Sequence, residues 1–437
     1  MARKSTLLET VKDGITDLEL DTSKINDEFY VFLKEELDTL TDSRYQPNTR
    51  HIFSEVITIA LFGVIANKDN WLEIEDFANA RKRQLKKYLS LPNGIPSSYT
   101  IKRCVGILKP EELEKIMYKV INDIMNKFYR KIDTNSYLND DFYIEDIIAM
   151  DGKAERGSGR KSSKDGEVSK LQLLNVYSTE YGLCLISKEI DKKTNEIPVG
   201  QEIIKGLDLK GKILTVDALN TQKELTKIVI KESNGNYCFP IKDNQTDFYN
   251  DLILYFNDEN LLNDCRNNIE KNSHKFSFCH TIDKNESSII KREYYSSNEI
   301  NWYSKLHDWT GIKSFNMEKT ITTSLINGEE TITYRYFIAS FYDVNLFAKA
   351  SRQHWRVENN CHWHMDYTFS SDDNLTVNKQ SAKGLITIKH FALALIQIVQ
   401  PFYGKHVSLS RVRGMIEMDP NGLDKMFKHL SKANHIL

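Results

Sequence analysis

The chain has no pair of cysteines at C-x-x-C spacing, although six cysteines are scattered along its 437 residues. That excludes a zinc ribbon, and it leaves no framework of the kind that staples small secreted domains. Long hydrophobic runs are also missing: no stretch approaches the roughly 18 consecutive apolar residues of a membrane span. The opening segment, Met1 to Thr10, has neither an apolar core nor a small-residue cleavage site, so secretion is not expected. These absences predict a chain of the reducing cytoplasm with no membrane attachment. A surplus of charge of one sign is lacking too. Fifty-nine Lys and Arg against 61 Asp and Glu leave −2. This rules out binding to polyanions by bulk charge, but not by a local basic face, because screening confines charge effects to about 10 Å.

What is present is an ordinary globular composition, 40% hydrophobic and 27% charged, at a length that predicts two or three domains. Basic residues cluster at Arg81 to Lys87, from Lys153 to Lys170, and from Lys405 to Lys432. Such runs are more often solvated faces than binding sites. Residues 1–140 read as a helical unit. His51 to Ala66 is an apolar run of helix length, and Trp71 to Leu89 places Leu72, Ile74, Phe77 and Leu85 near helical spacing. Ser97 or Ser98 can cap a helix after the turn Pro92-Asn93-Gly94, and Pro110 with Glu111 and Glu112 opens another.

From 141 to 256 strands and helices alternate. Phe142 to Met150, Leu171 to Ser178, Leu183 to Ile190, Lys212 to Asp217 and Tyr237 to Ile241 read as strands. Gln201 to Gly206, Gln222 to Lys231 and Thr246 to Phe256 read as helices. That order predicts an α/β sheet, partly parallel and covered by helices. Residues 257–342 read as a β-rich insertion, with alternating runs at Ile289 to Tyr295 and Thr331 to Ile338 and a turn at Asn327-Gly328. Helical periodicity returns from Leu346 to Asp366, with an apolar stripe of Phe347, Ala350, Val357, Cys361 and Met365, and again from Ser381 to Val399. Residues 343–400 form a second α/β portion, and 401–437 a basic tail.

Three acids stand where a solvated charge is not expected. Asp151 and Asp217 end apolar strands, and sites in open α/β sheets form outside the carboxyl ends of strands. Glu358 borders the apolar stripe of its helix. Phosphodiester chemistry needs a nucleophile at neutral pH and neutralised entering and leaving oxygens, which two metal ions held by carboxylates supply. Singly, each acid reads as a turn-former or half of a surface pair.

The motifs around these acids carry a resemblance. Ile148-Ala149-Met150-Asp151-Gly152-Lys153 with Arg156-Gly157-Ser158 resembles the first-aspartate block of the H-repeat-associated insertion-sequence transposases, a branch of the DDE transposases. Similar blocks follow in order: Asn195-Glu196-Ile197-Pro198, Leu207 to Gly211, Thr215-Val216-Asp217-Ala218, Ile241 to Gln245, Lys291-Arg292-Glu293, Trp309 to Ser314, and Arg352 to Asn359 with His362, Trp363 and Asp366. Asp42-Ser43-Arg44 and Gly94 to Ser97 resemble the accompanying N-terminal domain, so the likeness spans about residues 28 to 400.

The resemblance implies an RNase H-like catalytic core, whose element order the strands and helices above follow. Asp151, Asp217 and Glu358 would be its triad and the ligands of two Mg2+ ions, with Mn2+ as substitute. It implies cleavage of transposon ends and strand transfer into target DNA, so the partners would be double-stranded terminal inverted repeats and target DNA. A homodimer or larger synaptic complex would join two ends. Alternatives are a domesticated nuclease or DNA-binding protein with the same fold. The chain departs from hairpin-forming relatives, which carry tyrosine, arginine and lysine where it has Ser351, His354 and Met365.

Lys153, Arg156 and Lys242 follow strands at the catalytic edge, Arg352 and Arg356 flank Glu358, and Arg292 lies in a family block. All six are candidate contacts to DNA phosphates, which position the duplex without reading its sequence. His354, Glu358 and His362 recur every four residues, yet no H-E-x-x-H motif supports zinc there. Trp355 and Trp363 read as core residues, with stacking on a flipped base as the alternative.

Overall fold

A computed structural model of the chain describes residues 28–45, 49–129, 144–155, 171–190, 195–267, 275–371, 379–404 and 406–433. Arg156, and with it most of the 153–170 basic run, lies outside the described residues.

Strands β1 (Asp146–Glu155), β2 (Leu171–Ser178), β3 (Leu183–Ile190), β4 (Lys212–Val216) and β5 (Asn236–Ile241) stand in the order β3-β2-β1-β4-β5. β1, β4 and β5 run parallel, and β2 is antiparallel to both its neighbours. The parallel strands are buried where they pair, β1 through Ile147 to Met150, β4 through Ile213, Leu214 and Val216, and β5 through Tyr237, Cys238 and Phe239, as strands covered on both faces must be. Four long strands, β6 (Phe276–Lys284), β7 (Ser288–Ser297), β8 (Ser314–Ser324) and β9 (Glu330–Ala339), continue the same sheet, because β9 pairs antiparallel with β5. The β-rich segment therefore extends the core sheet to nine strands.

Side-chain alternation sends the two sets of β1 residues to different layers. Ile148 and Met150 pack with Val199 and Ile203 of the helix Glu196–Lys205. Ala149 shares a cluster with Val357, Cys361 and Met365, on the segment that carries Glu358. That segment is not one regular helix. An α-helix, Val344–Gln353, ends near His354, and two stretches of wider, i→i+5 turns follow at Val357–His362 and His364–Thr368. Wide turns of this kind are frequent at functional sites.

The helices Phe53–Ile65, Ser98–Ile107 and Pro110–Tyr129 surround a 25-residue helix, Lys379–Tyr403, in one core that also takes in Val357 and Cys361. By length and composition the Gln380–Tyr403 stretch could cross a bilayer, but 78% of its apolar window is buried within the protein. The expected basic tail is instead two packed helices, Leu409–Met418 and Gly422–Ala433. Arg413 is fully buried there, donating to the carbonyls of Val64 and Thr368 and pairing with Asp69 at 3.0 Å. In the Arg81 to Lys87 cluster, Arg81 is engaged with the Glu417 carbonyl and Lys87 with Asp424, while Lys82, Arg83 and Lys86 are exposed. Ser97 does cap its helix, accepting from the Thr100 amide. The 195–205 helix starts earlier than the expected Gln201, because the Asn195 side chain caps it by accepting from the Ile197 amide.

Candidate active site

Asp151 does not end its strand. β1 runs on to Glu155 because its antiparallel pairing with β2 continues to Leu171, whereas the parallel ladder with β4 stops at Met150 opposite Val216. Asp151 and Asp217 are thus the next residues along from one paired position, at the edge where the parallel ladder opens. Their shared parity directs them to the layer of the wide-turn segment. Glu358 approaches from that segment. The three carboxylates do not all lie within 4.8 Å of one another, as a single-ion clamp would require. They are still close enough to interact: burial, then the negative charges of Glu358 and Asp217, push the Asp151 carboxyl up to about 7. Burial raises Glu358 as well.

A fourth acid belongs to this group. Glu196, in the first turn of its helix, lies over Gly152: a Cβ there would sit 2.4 Å from its Oε1. Asn220 Nδ2 donates to both Glu196 Oε2, at 3.2 Å, and Asp217 Oδ1, at 2.9 Å. Burial and the charge of Asp217 raise Glu196. Sequence reasoning missed it because a glutamate in the first turn of a helix is explained by the helix dipole alone. The glycine directly after Asp151 was the available signal.

Histidines line the sheet side of the site. His362 Nε2 accepts from Asn175 Nδ2 at 2.9 Å, which leaves Nδ1, 3.7 Å from Asp151 Oδ2, as the protonated nitrogen. Asn175 is the cross-strand partner of Asp151 and is fully buried. His354 Nδ1 meets Thr215 Oγ1 at 3.2 Å, and burial, then Arg335, lower it to about 4. Both histidines reach the sheet from this segment, His354 to β4 and His362 to β1 and β2.

The basic candidates separate. Lys242 is exposed after β5, and its charge reaches His354, so it stands beside the site. Lys153 is buried and bound to Asp366 and the His362 carbonyl, which removes it from the surface. Asp283 holds Arg292 at 2.7 Å and Arg352 at 3.0 Å, tying β6 and β7 to the helix Val344–Gln353. Arg356 donates to the Thr179 carbonyl at 2.6 Å. These arginines are committed to the fold by short contacts that regular spacing could not foresee. Trp355 and Trp363, expected in the core, are 46% and 49% exposed. Trp363 stacks on exposed Tyr367, and the Arg335 guanidinium lies over Trp355.

Comparison with known proteins gives two family matches. A model described as "Transposase DDE domain" covers residues 143–395, and one described as "DDE_Tnp_1-associated" covers residues 34–121. An H repeat-associated protein named as a transposase, YhhI of Escherichia coli (strain K12), is 28% identical over 371 residues, 83% of this chain and 90% of its own. YncI of Escherichia coli O157:H7, also named as a transposase, is 29% identical over 369 residues, 83% of this chain and 86% of its own. A piggyBac transposase synaptic complex with hairpin DNA aligns with 94% of this chain and 78% of its own at 10% identity, with a TM-score of 0.35.

Proposed function

The chain belongs to the transposase DDE domain family, and we propose that it is an insertion-sequence transposase that cuts the ends of its element and joins them to target DNA. Asp151, Asp217 and Glu358 are its catalytic acids, and residues 144–256 with 344–404 are an RNase H-like core. The strand order β3-β2-β1-β4-β5 with β2 reversed supports that core. One observation carries the chemistry: an acid at the opened end of the parallel ladder feels two further carboxylates brought from different elements.

Uncompensated negative charge with hard oxygen donors fits Mg2+ or Mn2+. When bound, the ions polarise the phosphodiester and lower the pKa of the attacking water or 3′-hydroxyl. The chain's own part is placement. β1 and β4 fix Asp151 and Asp217 in register, the wide-turn segment brings Glu358 over them, and His362 and Asn175 hold the Asp151 side. Asn220 orients Asp217 by donating to it from both its amide and its backbone N–H. The exposed Trp355 and Trp363 offer flat faces on which unpaired bases at a cut end can stack.

Incubating the protein with DNA carrying its element's ends and Mg2+ or Mn2+, then mapping the termini, tests the assignment. The expected products are nicked ends with free 3′-hydroxyls and joined target strands. Cleavage without joining would make it a nuclease, and cleavage that is as fast with Asp151→Asn would remove these acids from the chemistry.

Lys242→Ala is expected to reduce the slope of log affinity against log salt by about one, as loss of a single phosphate contact does. Arg292→Ala should leave the slope unchanged, because Asp283 already holds that charge. A fluorescence anisotropy titration across a salt series reads both. Trp363→Ala should weaken binding to pre-cut ends with unpaired bases several-fold more than binding to intact duplex, within the ~1–3 kcal/mol that a base–aromatic stack supplies.

A further inference from the structure

Away from the acids, on the other side of Asn175, two thiols and an imidazole meet inside the protein. Cys184 comes from β3, Cys361 from the wide-turn segment three residues beyond Glu358, and His390 from the middle of the 25-residue helix. All three are fully buried, and their Sγ and ring nitrogen atoms lie within 4.8 Å of one another. Among the described residues, neither ring nitrogen of His390 finds a partner for a hydrogen bond of normal geometry. A completely enclosed imidazole with both nitrogens unsatisfied is rare in folded proteins. The two thiols lie within 4.8 Å of it.

We propose that Cys184, Cys361 and His390 form a buried Zn2+ site that pins the Glu358-bearing segment to β3 and to the long helix. The donor set suits a borderline-soft ion, since two sulfurs and one imidazole are common zinc ligands. Charge suits it as well. Two thiolates and one Zn2+ sum to zero, so the occupied site buries no net charge, whereas a thiolate alone there would be strongly disfavoured. Cys184, then His390, draws the Cys361 thiol down against the effect of burial. Asn175 Oδ1, 4.0 Å from Cys184 Sγ, is the oxygen at hand for a fourth position.

The consequence reaches the acids through one residue. Asn175 faces Cys184 with its carbonyl oxygen and His362 with its amide nitrogen, and His362 Nδ1 looks onto Asp151. An ion between the cysteines would fix Asn175 and the wide turns together, and so set both Asp151 and Glu358.

The test is metal analysis of the full-length protein grown with added zinc and dialysed against a weak chelator. About one zinc per chain is expected in the wild type and in Asp151→Asn, with at least a tenfold loss in Cys184→Ser, Cys361→Ser and His390→Ala. Should those variants fail to fold, Co2+ added to metal-stripped wild type reads the same site. A thiolate-to-cobalt charge-transfer band in the near ultraviolet, lost on adding Zn2+, supports it. Zinc that stays in His390→Ala, zinc that leaves with Asp151→Asn, or cobalt binding without that band overturns it. So does a Cys184–Cys361 disulfide in the protein as isolated.

Discussion

Replacing Asp151 by asparagine is expected to abolish metal-dependent cleavage while making the folded protein harder to unfold at pH 8. The first half follows from the assignment: a ligand that acts on the reacting phosphate is lost, and rates should fall roughly 10^3-fold or more, the scale seen when transition-state stabilisers are removed. The second half follows from linkage. Burial, then Glu358 and Asp217, raise the Asp151 carboxyl to about 7, whereas an unfolded aspartate titrates near ~3.9. The folded state therefore prefers the proton. The stability this group contributes is complete below about pH 4 and is lost as pH rises through about 7. At pH 8 the wild type carries the whole cost of a charged, enclosed carboxylate, on the order of 2–4 kcal/mol for a shift of this size. Asparagine carries none of the charge. Thermal melts should place Asp151→Asn above the wild type at pH 8 and level with it near pH 4. Mg2+ should raise the wild-type midpoint at pH 8 and leave the variant unmoved. A variant that melts below the wild type at pH 8 would mean that Asp151 is held by positive partners and not crowded by acids.

Local pattern made much of this protein legible. The five strands from β1 to β5 declare themselves by short β-branched runs between turn residues, and they fall within a few residues of expectation. Asp151, Asp217 and Glu358 stand out for the same local reason, acids abutting apolar elements. What local pattern does not carry is partnership. Arg292, Arg352 and Arg356 look alike in sequence as free cations, and only the fold reveals that Asp283 and the Thr179 carbonyl occupy them. The helical stripe of 346–366 was readable, yet its i→i+5 turns were not, because widening a helix by one residue depends on what packs beneath it. Trp355 and Trp363 were misplaced because size alone suggested burial: each stands two residues from the stripe of Val357, Cys361 and Met365, which at about 100° per residue already turns it away. The basic tail illustrates the opposite error. The basic residues there lie on two amphipathic helices, Arg411 and Arg413 on the first and Lys425 and Lys428 on the second, whose apolar residues Val412, Ile416, Met426 and Phe427 complete the helical core.

Glycine 152 offers a sharper test of the site than any acid, because its substitution acts through a contact and not through a ligand. Adding one methyl there puts a carbon 2.4 Å from Glu196 Oε1 and 2.9 Å from Oε2. Gly152 lies in regular β-strand pairing opposite Leu174, so the alanine backbone itself is unstrained. Only the tip of a flexible side chain must give way, and folding stability should change by no more than ~0.5 kcal/mol, as for a surface substitution. The moved tip, however, loses Asn220 and its position beside Asp217. If Glu196 holds or orients the ions, Gly152→Ala and Glu196→Gln should each weaken Mn2+ binding by about 10–100-fold, the usual scale for groups that support a metal's ligands. The two changes strike one group, so the double variant should be no weaker than Glu196→Gln alone, a non-additivity that unrelated effects would not show. Calorimetric titration of Mn2+ into the four proteins measures this without reference to turnover. Full affinity in Glu196→Gln would leave its carboxylate as nothing more than a favourable charge at a helix start, and additive losses would mean that Gly152 matters for some reason other than the room it leaves.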